Sequence, residues 1–398
     1  MSLLSACATS GYKSASGTDI DAKVYTDAQR RVVDEKIPEP LRADFTALYS
    51  EGQQNSVLHS MHGGLTALRM GEYGIAKRLF DGAIRDVEAL QAGSAQARRA
   101  AGNFVGDREK WFKGESYERS ALYFYRGLLY LQDHDYGNAA ACFKRSELED
   151  ITGDDAPGFS GDWYSDELGL ALASWFNGYP ADADAALRRA AKYQSIQGQV
   201  PPPTARTNTL LVVEVGIGPI KYAAGRYREQ LRFHEDTPAT VSVRAEPPGA
   251  SSLSAAAENL YFQATTRGTR QVDYILNGKA NFKEGTGVAA AALALGAVAV
   301  ADSQRGRRHN DTAGLASGAL ALAAIGAAIT SSLTTPEADT RAWNNLPHSI
   351  FLLNLTLPAS TVSVTVSGLD AGGRVTQSIA VPLNNGKPLR IGYVYLNN

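Results

Sequence analysis

The chain has 398 residues, 44% of them hydrophobic and 20% charged, with a formal net charge of −2. It is long enough for two or more packed domains and too apolar for a disordered tail. The balanced charge lacks the basic excess of a nucleic-acid binder, so no nucleic-acid partner is expected.

The two cysteines, Cys7 and Cys142, cannot build a disulfide framework. Cys7 closes "LLSAC", which resembles the lipobox at which bacterial lipoprotein precursors are cleaved and lipidated. Only six residues precede it, so a leader shortened by trimming or by a misplaced start is expected, with a chance "LSAC" as the alternative. Ala8 after the cysteine fits the pattern sent to the outer membrane in many Gram-negative bacteria. Residues 1–19 are therefore read as a lipoprotein N-terminus and linker with lipidation at Cys7. Cys142 lies in an apolar helical run and is expected to act as a small buried hydrophobe.

The fold class read from the pattern is α+β. Residues 20–200 form a tetratricopeptide-like helical domain, with clear helical periodicity from about 57 to 193. "GLTALRMGEYGIAKRLFDGAI" places Gly64, Gly71, Tyr73, Ala76, Phe80 and Ala83 at the spacing of a tetratricopeptide unit. A second copy sets Gly127 and Tyr130 before Tyr136, Ala139, Phe143 and Ser146. A weaker third uses Ala171, Tyr179, Ala183, Leu187 and Ala190, blurred by Pro180. Small residues let paired helices approach while an aromatic fills the gap to the next pair. The acidic run with Glu147, Glu149, Asp150, Asp154 and Asp155 lacks the calcium-loop spacing and reads as a solvated connection.

"GQVPPPTARTN" ends the helices. Residues 205–284 hold the first β segments, "TLLVVEVGIG" and "TPATVSVRAEPPG". "SSLSAAA" looks like a linker, and "ENLYFQ" (258–263) is identical to the site of a viral protease used to remove tags, so engineered and native origins both fit. Residues 338–398 add "HSIFLLNLTL", "STVSVTVSGLDAGGRVTQSIAV" and "KPLRIGYVYL". Val362, Val364 and Val366 are expected on one face, Thr361, Ser363 and Thr365 on the other, and "DAGG" forms the hairpin turn. Together these strands predict an antiparallel C-terminal β-domain.

Between the β blocks, residues 285–333 read as an inserted Ala/Gly-rich helical hairpin. Two charge-free runs, 287–301 and 313–330, would span roughly 22 and 27 Å at about 1.5 Å per residue, slightly short of a roughly 30 Å hydrocarbon core. Alanine and glycine insert weakly, so such helices need partners. Gly287, Gly296, Gly314, Gly318 and Gly326 are the expected packing positions, because small residues let backbones approach closely in lipid. Arg305, Arg307 and Arg308, beside His309, form a tip suited to anionic head groups. A soluble hairpin buried between domains is the competing reading. Just before it, Arg267, Arg270 and Asp273 are candidates for inter-subunit pairing. The alternative there is a helix entry capped by Thr265 or Thr266.

No catalytic, metal or cofactor site emerges. The six histidines stand in no zinc arrangement, and His59 and His62 read as a surface pair. "GIGPIK" with Lys221 lacks phosphate-loop spacing and reads as a strand terminus.

"GESYERSALYFYRGLLYL" (114–131), "VEVGIGPIKY" (213–222), "FQATTRGTRQVDYILNGKANFK" (262–283) and "ADTRAWNNLP" (338–347), in that order, resemble a family of poorly characterised bacterial lipoproteins with an N-terminal tetratricopeptide-like domain. The resemblance covers most of the chain. It implies an outer-membrane lipoprotein facing the periplasm, grouped with lipoproteins that activate peptidoglycan synthases or resemble curli-secretion channels, and no enzyme activity. Residues and resemblance together predict a homo-oligomer on a lipid bilayer, assembled through the hairpins into a ring or pore. The alternative is a lipid-tethered adaptor whose repeat groove binds a peptide or another envelope lipoprotein.

Overall fold

The computed structural model describes residues 12–13, 19–20, 26–92, 111–151, 162–197, 200–226, 228–246, 252–266, 338–384 and 386–397. The fold is mixed α+β, with helices in the N-terminal half and sheets in the C-terminal half. A two-residue ladder, β1 (Tyr12–Lys13) with β2 (Asp19–Ile20), precedes the helices. These are α1 (Asp27–Lys36), α2 (Arg42–Ser50), α3 (Ser56–Arg69), α4 (Tyr73–Ala92), α5 (Ser116–Asp133), α6 (Tyr136–Ile151), α7 (Tyr164–Phe176) and α8 (Pro180–Gln197). Helix begins well before residue 57 because Thr26 and Gln29 close a capping box over α1, which satisfies two otherwise orphaned donors. Pro180 is no interruption. It stands at the first position of α8, where its missing N–H costs nothing.

Consecutive helices pair as α3 with α4, α5 with α6 and α7 with α8. The glycines at their crossings are sterically required. A Cβ on Gly64 would lie 2.5 Å from the Phe80 ring, and one on Gly127 2.8 Å from Phe143. Phe143 also fills the space above Gly169, whose Cβ would come within 2.6 Å. Gly64 to Phe80 and Gly127 to Phe143 thus make the same contact at the same spacing, while Ala76, Ala83 and Ala139 are wholly buried beside them. Tyr73 and Tyr136 pack at the edge of this core. In the third pair Ala171, Ala183 and Ala190 are buried but Tyr179 is exposed. Between α5 and α6, Ser120 and Ser146 each donate to the other's carbonyl, at 2.9 and 2.8 Å.

The β half contains two four-stranded sheets. The central one has the order β12 (Arg390–Leu396), β3 (Thr209–Val215), β9 (Ser349–Leu355), β8 (Glu258–Asn259). The outer one has the order β11 (Val375–Pro382), β10 (Ser363–Leu369), β6 (Ser242–Glu246), β7 (Ser252–Ser254). A separate hairpin joins β4 (Ile220–Ala224) to β5 (Gln230–His234). The expected antiparallel arrangement holds with one correction: β12 runs parallel to β3, so the central sheet is mixed.

The helices cover one face of the central sheet and the outer sheet covers the other. Leu210, Val212, Ile350 and Leu352 join the helical core, whereas Leu211, Val213, Phe351 and Leu353 meet Val243, Val364 and Val366 of the outer sheet. Every residue of β3 is therefore buried, which explains an apolar run without alternation. Val364 and Val366 face inward as expected, but Val362 is exposed and Thr361 buried. These two lie before β10 begins, where its alternation does not apply. The "DAGG" turn forms with Gly373 at φ +76°, and the Asp370 carboxylate accepts from the amides of Gly372 and Arg374.

One carboxylate crosses between layers. Glu214, wholly buried on β3, accepts from Arg69 Nε of α3 at 2.7 Å and from the Tyr125 hydroxyl of α5. Burial pushes the Tyr125 hydroxyl well above the usual phenol range, and the Glu214 charge adds to it. The Arg69 guanidinium also lies 4.0 Å above the Tyr395 ring of β12. The burial of this carboxylate is offset by the guanidinium and the hydroxyl that donate to it.

"SSLSAAA" is not a linker: β7 pairs with β6, and Ser254 and Ala257 are buried. "ENLYFQ" is likewise part of the core. Glu258 and Asn259 form β8 against β9, Asn259 caps α9 (Leu260–Thr265), and Glu258, Leu260 and Gln263 are fully buried. Thr265 is the last residue of this helix and Thr266 its C-cap, and the helix entry expected after them lies outside the described residues. Their hydroxyls donate back to the Tyr261 and Phe262 carbonyls, the bonding that suits a last turn.

Candidate functional site

One closely tied region surrounds β4–β5. Alternation sends Lys221, Ala223, Leu231 and Phe233 inward and leaves Ile220, Tyr222, Arg232 and His234 outward. The Lys221 ammonium donates to Glu118 Oε2 of α5 at 2.7 Å and to the Arg341 carbonyl at 3.1 Å. It also lies 5.7 Å from the ring centres of Phe112 and Tyr117. Glu118, fully buried, further accepts from the backbone N–H of Glu115 and Trp343. "GIGPIK" thus bridges two strands and directs its lysine into an ion pair, where the sequence suggested only a strand end.

Both ends of residues 267–337 are secured beside this hairpin. Before the segment, α9 packs against β5 and α5, and the buried Gln263 donates to Glu258. After it, the Ala338 amide donates to the Arg228 carbonyl in the β4–β5 turn at 2.8 Å. Arg341 then grips Asp339 and donates to Asn55 Oδ1. Trp343 enters the helical core with its ring 5.9 Å from Tyr125 and 6.2 Å from Phe80. Asn345 donates to the His62 carbonyl and Thr66. "ADTRAWNNLP" is consequently an anchor shared by helices and sheet.

A second concentration of ionisable groups lies where α6, α7 and β8 meet. Glu147, Glu149 and Asp150 belong to α6, with Glu149 and Asp150 fully buried, so the solvated-loop reading is corrected for them. Arg119 and Arg145 neutralise Glu149 at 2.6 and 2.7 Å, and Arg189 pairs with Glu167. Nearby, Glu258 accepts from the Ser165 amide at 2.8 Å. Burial pushes the Glu258 carboxyl up to about 8, and burial together with Glu167 does the same to Glu147. Burial also holds Asp166 well above the usual carboxylate range. Arginines pair with part of this cluster, and burial favours the protonated form of Glu147, Asp166 and Glu258.

Its pH consequence has a definite sign. Glu147 and Glu258 ionise near 4.5 when unfolded and near 8 when folded, so between those values the folded chain binds more protons. The stability they contribute is complete below about pH 4.5 and is lost as pH rises through about 8. Glu258→Gln keeps an acceptor for the Ser165 amide and removes one titration. The fall in thermal midpoint from about pH 5 to about pH 9 is expected to be shallower in this variant. An unchanged fall would show that Glu258 does not carry a proton in the folded chain.

His59 and His62 are not a surface pair. Each is half-buried and has its own carboxylate, Glu51 at 2.7 Å and Asp44 at 2.8 Å. Cys142 is half-buried, and burial pushes its thiol up to about 12, which disfavours the reactive thiolate. Among the described residues no group of three or more His, Cys, Asp or Glu is arranged to hold a metal. A void lined by Leu68, Leu128 and Tyr393 measures about 10 Å³, room for one water at most.

Cys7, the packing glycines Gly287, Gly296, Gly314, Gly318 and Gly326, the tip arginines Arg305, Arg307 and Arg308, and Arg267, Arg270 and Asp273 lie outside the described residues, as do Asp154 and Asp155. Among the described residues no helix is long and apolar enough to cross a membrane. In comparisons with known protein families, curated proteins and solved structures, the chain matches none.

Proposed function

We propose that this chain is an outer-membrane-associated lipoprotein, anchored through Cys7, that homo-oligomerises through the Gly/Ala-rich runs within 285–333 into a membrane ring or pore. Its helical half, read as tetratricopeptide-like, is the periplasmic interaction surface. The observation that carries this reading is the pair of charge-free Ala/Gly-rich runs, 287–301 and 313–330. They lie in a 71-residue segment (267–337) flanked by α9, which packs on β5, and by Ala338, whose amide donates to the Arg228 carbonyl of the β4–β5 turn. Equal spacing of the Gly64–Phe80 and Gly127–Phe143 contacts supports the repeat reading.

The adaptor alternative must use the outward helical surface, because the central sheet and Trp343 occupy the other. The deciding experiment compares the detergent-solubilised full chain with a variant lacking 285–333. A symmetric multi-subunit particle that dissociates without the segment is the expected result. Identical monomers from both would overturn the proposal.

A further inference from the structure

The two four-stranded sheets end in four edge strands, and three of these are guarded against further pairing. β7 is three residues long, and β8 is two residues long and runs directly into α9. β11 is longer, but Pro382 guards it. The Leu383 amide donates to the Val362 carbonyl, so Leu383 and Val381 face β10 while Pro382 turns its missing donor outward. Short strands and outward prolines are the usual protection of an edge. β12 has neither. Its seven residues contain no proline, and its one charge, Arg390, is buried and donates to the carbonyls of Leu357, Pro358 and Thr361.

Pairing with β3 decides which main-chain groups of β12 remain. The Arg390 amide donates to the Asn208 carbonyl, and the Leu396 carbonyl accepts from the Gly216 amide. In this parallel register the even-numbered positions are therefore committed to β3, and the amides and carbonyls of Ile391, Tyr393 and Tyr395 turn the other way. Among the described residues no hydrogen bond reaches these six groups. The side chains of Ile391 and Tyr393 pack toward the helices, where with Leu68, Tyr73 and Leu128 they line the void of about 10 Å³.

We propose that β12 is a docking edge for an extended, uncharged segment of a partner polypeptide, which adds a fifth strand to the central sheet and sets a small side chain beside Ile391 and Tyr393. Three donor–acceptor pairs in a row are complementary to the main chain of another strand. The segment is uncharged because nothing from Ile391 to Leu396 carries a charge to pair with, and Arg69, over the Tyr395 ring, is already neutralised by Glu214. Its residue beside Ile391 is small because α3 and α5 both approach β12 and leave a void of about one water's size. The site uses neither Cys7 nor residues 285–333, so it stands independently of the membrane reading.

The test reads hydrogen exchange at single amides of the full chain, with the peptide acetyl-Thr-Val-Thr-Ala-Thr-Val-Thr-amide as the probe. In the free chain the amides of Ile391, Tyr393 and Tyr395 are expected to exchange at least about tenfold faster than those of Gly392 and Val394, and saturating peptide to remove that difference. Replacing the central alanine by tryptophan should weaken binding by about tenfold or more, because so small a void is overfilled. The same peptide N-methylated throughout should protect nothing. I391P removes an outward donor while leaving the ladder to β3 complete, and is expected to abolish protection at Tyr393 and Tyr395. If that variant is destabilised, the N-methylated peptide makes the same distinction on the unaltered chain. Slow exchange of all three amides in the free chain, no protection by the plain peptide, or equal protection by the N-methylated one would each overturn the proposal. Protection that rises with protein concentration in the absence of peptide would overturn it too, by assigning the edge to a second copy.

Discussion

Lys221→Met is expected to destabilise the chain by about 3–5 kcal/mol, the usual cost of removing one partner from a buried ion pair. The substitution keeps the length and apolar body of the side chain but removes the ammonium between Glu118 Oε2 and the Arg341 carbonyl. Glu118 then keeps only the two backbone donors from Glu115 and Trp343. The double variant E118Q/K221M should recover most of the loss, because replacing both members of a buried pair is often nearly neutral. Guanidinium denaturation of the three chains measures this. A single variant within about 1 kcal/mol of wild type would show that Lys221 does not neutralise Glu118. Because the pair also holds the segment carrying Trp343, K221M should loosen the anchor at Ala338 before the helical core.

Phe143→Ala should cost a similar amount, about 3–5 kcal/mol. The ring occupies the space over two glycines, Gly127 on α5 and Gly169 on α7, and touches Phe124 at 6.1 Å between centroids. Neither glycine has a side chain that could relax into the void, so collapse would require three helices to move together. Phe143→Leu retains most of the volume and should lose less than half as much. Denaturation midpoints check the order. A Phe143→Ala cost below about 1.5 kcal/mol would mean that the helices close the gap, and the glycine spacing would lose its structural meaning.

Legibility in the sequence followed how local the deciding interaction was. The repeated Gly-to-Phe spacing and the strands at 209, 242, 349, 363 and 375 were visible because each rests on a contact or an alternation within a few turns or residues. The parallel pairing of β12 with β3 was not, since alternation encodes a face and not a partner. Glu149 and Asp150 looked solvated because the arginine that neutralises Glu149 from another helix, Arg119, lies 30 residues away. The capping box at Thr26 and Gln29 was a readable signal that would have extended the helices toward the N-terminus. The β4–β5 hairpin had the same status. Gln230, Arg232 and His234 alternate with Leu231 and Phe233, the pattern of a half-buried strand. Lys221 itself gave no hint of its role, because burial of a lysine depends on a carboxylate 103 positions earlier in the chain.

The central strand also sets an order of events during biogenesis. β3, at 209–215, is bordered by β9 at 349–355 and by β12 at 390–396, both beyond the Gly/Ala-rich runs. A polypeptide emerging N-terminus first, from a ribosome or a translocation channel, presents those runs while β3 has neither neighbour. Trp343 has not yet reached its seat beside Phe80 and Tyr125 either. The apolar runs therefore leave the ribosome before the sheet on either side of them can close.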